Sequence, residues 1–414
     1  MRSTIQDYLA ELKGKRVAVI GIGVSNTPLI KMLLRAGIRV TACDKRQKQE
    51  FGGQAEALES LGAELRLGPD YLEGLDHDVI FRTPGLRPDV PQLLAAVERG
   101  SVLTSEMEVF FQVCPCNIIA VTGSDGKTTT TTMIAELLKA AGRNVYVGGN
   151  IGKPLLPDVD GMEAEDLAVL ELSSFQLMTM EQSPNIAVIT NLAPNHLDYH
   201  HTMEEYTNAK KNIFLHQAAD GLVVLNQDND ITRGFAAAAP GRVVLFSRRE
   251  ALARGVFLKD DAIWSTTDLH SRPVLSLDGI LLPGVDGLVP DETIRAFAGT
   301  FAGVEHRIEL VRTRNGVRYY NDSLASSPSR TTAGLRSFRE KVILIAGGYD
   351  KHIPFDALGP EIIAHVKALV LTGDTAPKIR ACVEAAPGYR PGQPSIETCE
   401  DFTQAVLEAH KLAR

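Results

Sequence analysis

Asn117-Ile118-Ile119-Ala120-Val121-Thr122-Gly123-Ser124-Asp125-Gly126-Lys127-Thr128 is the stretch that decides the fold. Its apolar start reads as a buried strand, its glycines as a tight turn, and the pattern from Lys127 to Ala141 as a helix. A strand, a Gly-rich turn and a helix N-terminus together form a phosphate cradle. Backbone N–H groups and the positive end of the helix dipole face the anion, and a lysine ammonium bridges phosphate oxygens. Thr128 is placed to put its hydroxyl on a magnesium ion. The full Walker pattern has a glycine where Val121 stands, so the loop is a shortened one. A Gly-Lys-Thr turn alone is often incidental. Strand and helix on either side make Gly123, Ser124, Asp125, Gly126, Lys127 and Thr128 an ATP site.

The rest of the chain suits such a site. Its 414 residues are too many for one core, and two or three domains are expected. A composition 44% hydrophobic and 23% charged is that of an ordinary globular protein. The formal charge of -8 argues against a nucleic-acid surface. No run is apolar for long enough to span a bilayer, and the N-terminus, with Asp7, Glu11 and Lys13, has no signal-peptide core. The five cysteines are scattered, and Cys114-Pro115-Cys116 lacks a second Cys/His pair for a metal. A cytoplasmic protein, monomeric and without nucleic-acid or membrane partners, is the expectation.

Strand and helix patterns alternate throughout, which predicts parallel α/β sheets. A first series has strands at 16–20 and 38–43, a helix at 28–36, and further strands at 78–81 and 102–104. A second begins at Asn117 and adds strands near Val145 and at 167–171, 186–190, 222–226 and 243–246. A third follows His306-Arg307, with strands at 317–320, 342–346 and 368–372 and a helical pattern from Asp401 onward. The expected fold is three α/β domains: a Rossmann-like N-terminal domain (1–104), a P-loop-type central domain (105–302) and a Rossmann-like C-terminal domain (303–414).

Strand ends hold the chemistry, because ligands of open parallel sheets gather outside the carboxyl ends of the strands. Gly21-Ile22-Gly23-Val24-Ser25-Asn26 ends the first strand and Asp44 the second, as in a dinucleotide fingerprint with its third glycine replaced by Asn26. The cradle suits any diphosphate, so a nicotinamide-dependent oxidoreductase stays open on these residues. Thr83-Pro84-Gly85 is a second turn on the same edge. Glu171 ends an apolar strand and is a hard oxygen ligand for magnesium near Lys127. His196 follows the next strand among turn-forming neighbours, and Lys210 reads, on spacing alone, as an ordinary helix lysine.

Further stretches carry a resemblance. Gly148-Gly149-Asn150-Ile151-Gly152, Glu171-Leu172-Ser173-Ser174-Phe175-Gln176 and Asn195-His196-Leu197-Asp198 follow the phosphate loop in order. Tyr206 to Lys210, His306-Arg307, Asn321-Asp322-Ser323 and Gly347-Gly348-Tyr349-Asp350-Lys351 come next. With these the chain resembles the Mur ligases of peptidoglycan synthesis, most closely the branch that adds D-glutamate to UDP-N-acetylmuramoyl-L-alanine. The resemblance implies a UDP-sugar in the first domain, ATP in the second, and a third that brings the amino acid. Ser25, Asn26, Asp44 and Lys45 would then face the UDP group, and Asn150 and His196 the substrate or its metal. Thr128, Glu171, His196 and a carbamylated Lys210 would hold magnesium, with Lys127, His196 and Lys210 in the catalytic set. Arg307 and Asp322 would hold the nucleotide, and Lys351 a carboxylate of D-glutamate.

The chain also departs from the family. Leu324 stands where the Asn-Asp-Ser motif often continues with lysine. Gly284 runs into Val285 where the family has a helix with adenine contacts, so a hidden break is expected there, wider than the ~3.8 Å between Cα atoms of a trans peptide. The sequence stops at Arg414, before the family's last strand and a Ser/Phe segment that helps hold D-glutamate. A sibling Mur or folylpolyglutamate-type ligase and an inactive nucleotide-binding module are the alternatives.

Overall fold

The computed structural model describes all residues except 1–3, 268–271, 277–290, 299, 302, 305 and 414. The Gly284–Val285 junction lies outside the described residues. The chain forms two compact units, one of residues 1–192 and 204–301, the other of 193–203 and 302–414.

The first unit holds two sheets. The N-terminal one is fully parallel, in the order Glu64–Leu67, Arg39–Asp44, Arg16–Ile20, Val79–Phe81, Val102–Thr104. Strand order reverses between Arg16–Ile20 and Val79–Phe81, and this switch point opens a crevice at their carboxyl ends. Ala18, Ile20, Cys43 and Ile80 pack under Leu93 and Ala96 of the helix Pro91–Glu98. The alternation expected for this domain is observed, and the Glu64–Leu67 edge strand adds to it.

The second sheet has nine strands, in the order Arg272–Ser276, Ala262–Ser265, Gly255–Lys259, Arg242–Ser247, Leu222–Asn226, Ile186–Ile189, Asn117–Thr122, Leu167–Glu171, Val145–Gly149. It is parallel except for the antiparallel ribbon 255–276. Asn117–Thr122 lies between the strands that end at Glu171 and Ile189, so the loop at Gly123 has strand-end chemistry on both sides. Its helix, Lys127–Ala140, opens with the threonines 128–132, β-branched residues of modest helix propensity. Packing holds it instead: Ile134, Leu137 and Leu138 bury one face against Ile119, Val121 and Val169, each worth ~1.5–3 kcal/mol.

In the second unit, Val342–Gly347, Val366–Thr372 and Ser395–Thr398 form a parallel sheet. Leu369 and Leu371 pack with Leu358 and Ile362 of one helix and Ile379 and Val383 of another. Before it, Glu309–Arg314 and Val317–Asn321 pair as a hairpin whose turn places Asn315 (φ 51°) and Gly316 (φ 79°) in the left-handed region.

Candidate active site

The phosphate loop is shaped by its glycines and tied from both sides. Gly123 has φ 152°, and a Cβ there would lie 1.9 Å from Thr190 Oγ1, so no side chain fits. Gly126, at φ 79°, turns the chain into the helix. The Ser124 N–H donates to the Asn191 carbonyl and the Asp125 N–H to Asn191 Oδ1, both at 2.9 Å. Thr190 Oγ1 donates to the Asp125 carbonyl at 2.5 Å, and Ser124 Oγ pairs with the Tyr206 hydroxyl at 2.9 Å. The Lys127 ammonium folds over the loop, donating to the carbonyls of Gly123 at 3.0 Å and Ser124 at 3.3 Å. Thr190, Asn191 and Tyr206, to which the sequence assigns no role, hold the loop in place. The signal was their place at a strand end and one turn before Lys210.

Beside the loop, Glu171 is 2% exposed and engaged at both oxygens. Thr128 Oγ1 donates to Oε2 at 2.7 Å and Asn150 Nδ2 to Oε1 at 2.8 Å. Gly149 allows this approach, since a Cβ there would lie 2.2 Å from the Glu171 carbonyl oxygen. Thr128, Glu171 and Asn150 are therefore one cluster, and the Thr128 hydroxyl and Glu171 carboxylate are hard oxygen donors of the kind that would hold a magnesium ion. Lys210 is 1% exposed, on the helix Met203–Leu215. Its Nζ donates to Thr122 Oγ1 at 3.0 Å and to the Gly123 carbonyl at 3.1 Å, with the Tyr206 ring 5.0 Å away. It is thus a buried support of the phosphate loop rather than the solvated helix lysine its spacing describes.

At the first sheet's switch point, Asp44 Oδ2 accepts from the Ile22 N–H at 2.8 Å, and Oδ1 from the Arg46 N–H and Nε at 3.0 and 3.1 Å. Burial works against its charge, but these bonds and Arg46 hold its pKa below the ordinary value. Asn26 is buried, and its Nδ2 donates to the Ile20 carbonyl at 2.9 Å, the position where a third glycine would have allowed close packing. Ser25 and Lys45 are exposed on the loops around this crevice.

The remaining expected residues lie in the second unit. His196 sits in the segment 193–203 with φ 54°, a conformation that costs a non-glycine residue energy, and its carbonyl accepts from the Tyr199 and His200 N–H groups. Asp322 Oδ1 accepts from the Ile308 N–H at 3.3 Å; burial raises its pKa, and the charges of Arg307 and Arg330 oppose that rise. Lys351 Nζ donates to Ser326 Oγ at 3.1 Å, and burial lowers its pKa, with the Arg330 charge adding to the effect. Leu324, the departure from the family motif, is 38% exposed.

Comparison with known proteins places this geometry. Residues 121–272 match the Mur ligase middle domain, and 306–414 the Mur ligase, glutamate ligase domain. The UDP-N-acetylmuramoylalanine–D-glutamate ligase of Acetivibrio thermocellus is 50% identical over an alignment of 429 residues, covering 100% of this chain and 92% of that protein. The protein of the same name from Clostridium novyi is 46% identical over 427 residues, again covering 100% and 92%. Among solved structures, MurF from Acinetobacter baumannii superposes with a TM-score of 0.60 at 15% identity, covering 99% of this chain and 92% of that one, a likeness of fold.

Proposed function

The chain belongs to the Mur ligase family, and from that premise we propose that it joins D-glutamate to the alanyl carboxylate of UDP-N-acetylmuramoyl-L-alanine. It is an ATP-dependent acid–amino-acid ligase of peptidoglycan synthesis. The 50% identity to a relative of that name, across the whole chain, carries this reading. It replaces the nicotinamide alternative for the first domain. We divide the chain as 1–104 for the UDP substrate, 105–302 for ATP and 303–414 for the amino acid, in the cytoplasm. Among the described residues no helix is long and apolar enough to cross a membrane.

The chemistry follows from the residues. A carboxylate is a poor acyl donor because its leaving group would be an oxide. Attack of a carboxylate oxygen on the γ-phosphorus of ATP releases ADP and gives an acyl phosphate. The D-glutamate amine then attacks the acyl carbon, phosphate leaves, and the ammonium proton is lost to solvent. The net products are amide, ADP and phosphate. Carboxylate and triphosphate repel, so fixed positive charge is needed as charge moves in line. Lys127 supplies it from the loop, at the β- and γ-phosphate oxygens, and the N-terminus of the helix Lys127–Ala140 adds its dipole, while the Ser124 and Asp125 N–H groups are spent on Asn191. Thr128 and Glu171, with Lys210 as a further candidate, would hold magnesium, which would supply positive charge against the phosphates when bound. Carbamylation would turn Lys210 from a cation into an oxygen ligand. Asp44, Ser25, Asn26 and Lys45 serve the UDP group, Asn150 and His196 the substrate, and Arg307 and Asp322 the nucleotide. Lys351 pairs with a D-glutamate carboxylate.

The test is product mass. Incubation with UDP-N-acetylmuramoyl-L-alanine, ATP and D-glutamate should add one glutamyl residue to the uridylyl substrate. An unchanged substrate mass with a folded, ATP-binding protein would contradict the reading.

A further inference from the structure

Arg82 is 2% exposed, and its guanidinium joins the turn that follows the strand Val79–Phe81 to the helix that follows the strand Leu167–Glu171. Nη1 donates to the carbonyls of Thr83 and Pro84 at 3.2 Å and of Leu86 at 2.5 Å. Nη2 reaches the Phe175 carbonyl at 3.4 Å and Thr179 Oγ1 at 3.2 Å, on and just beyond the helix Ser174–Leu177. That helix begins three residues after Glu171. Five residues along from Arg82, Arg87 makes a second link. Nη2 donates to Glu205 Oε1 at 2.7 Å and Nη1 to Oε2 at 3.3 Å, while Nε and Nη2 fork onto Asp89 at 2.8 and 2.7 Å. Glu205 lies on the helix Met203–Leu215, which carries Lys210. Between the two arginines, the turn at 83–86 presses on the first sheet's crevice. The Thr83 N–H donates to the Ile20 carbonyl at 3.1 Å, and a Cβ on Gly21 would lie 2.9 Å from Thr83 Cβ.

We propose that Arg82 and Arg87 are positioning residues that lock this turn, and with it the UDP-substrate crevice, to the elements that carry Glu171 and Lys210. The proposal rests on the ligase reading above. A substrate held at one sheet must present its carboxylate to a phosphoryl group held at another, and the turn at 83–86 sets that separation. Arginine suits the task because its planar fork holds several acceptors at once, which an ammonium cannot do in one plane. Loosening the lock leaves each ligand its own site and spoils their mutual approach, and a ~1 Å misplacement can cost about 100-fold in rate.

The experiment uses Arg87→Ala, Glu205→Ala and the double variant, with Arg82→Lys beside them. Arg82 is buried and its variant can fail to fold, whereas Arg87 and Glu205 are 17% and 31% exposed and keep the test available. Each folded variant is read for kcat with D-glutamate and for the Kd of UDP-N-acetylmuramoyl-L-alanine and of ATP by calorimetry. The expected result is a kcat loss of about 10-fold with both Kd values within about twofold, and a double variant no slower than the single ones. Unchanged kcat in the double variant, or affinity for ATP falling as far as kcat, would overturn the proposal. A wild-type protein without turnover would overturn the ligase reading, and the proposal with it.

Discussion

Lys127 and Lys210 meet on one oxygen. The Gly123 carbonyl accepts from Lys127 Nζ at 3.0 Å and from Lys210 Nζ at 3.1 Å, one lysine from the helix of the loop and the other from the helix Met203–Leu215. The two have different freedom. Lys127 is half-buried on the loop's own carbonyls, while Lys210 is buried beneath it. Lys127→Ala should therefore lower kcat by about 1,000-fold, the scale of losing a charge aimed at the transition state, and leave the Kd for UDP-N-acetylmuramoyl-L-alanine within a few fold. Phosphate release within a few fold of the parent would show that the loop is not the catalytic cradle.

Lys210 holds the loop as an ammonium, and on the proposed chemistry a carbamate formed on it would be an oxygen ligand for the metal. Lys210→Ala should lose turnover that bicarbonate does not restore, because the variant has no amine to carbamylate. A short carboxylic acid should restore part of it by filling the space with an oxygen ligand. Full activity without any additive would make Lys210 a structural residue alone.

How much of this was legible in the sequence can be seen element by element. Strands 16–20, 167–171 and 222–226 are found at the expected bounds, because parallel strands with buried faces read as continuous apolar runs, and the edge strand 102–104 is found at its bounds too. Glu64–Leu67 and Ser395–Thr398 went unread. Both are four-residue edge strands with charged or polar alternate positions, too short for a period to emerge. The ribbon at 255–276 turns through Asp260 and Asp261, both at φ near 50°, without the glycine that marks such a hairpin. In the site, Glu171 is legible from its place at a strand end and Thr128 from the phosphate-loop pattern, and a 2.7 Å hydrogen bond joins the two. The burial of Lys210 is not legible, because it depends on a helix crossing under a loop distant in sequence.

Glu106 offers a test of the fold by pH. It is buried at the start of the helix Glu106–Val113 and accepts from the Leu156 N–H at 2.9 Å. Burial raises its pKa from 4.5 to about 7, against the pull of the backbone bonds from Leu156 and Leu155. A folded pKa above the unfolded one means the folded state holds the proton more tightly. That stabilisation is full below about pH 4.5 and is lost as pH rises through about 7. Relative to Glu106→Gln, the wild type should lose on the order of 3 kcal/mol between pH 4.5 and 8. Parallel stability curves for the two proteins would show that Glu106 does not titrate in this range.

Lys351 should govern the amino acid and not the nucleotide. Lys351→Ala removes one charge-assisted bond, worth ~1.5–3 kcal/mol, and should raise KM for D-glutamate by about 10- to 100-fold. KM for ATP should stay within a few fold. Equal rises in both constants would point to a general disturbance of the loop 347–351.

The central claim is one reaction with one amino acid, and phosphate release tests it most directly. The protein is given UDP-N-acetylmuramoyl-L-alanine and ATP with D-glutamate, L-glutamate, L-alanine or a diamino acid in turn. The account predicts phosphate release that requires all three substrates and is fastest with D-glutamate. Equal or faster turnover with a diamino acid would contradict it.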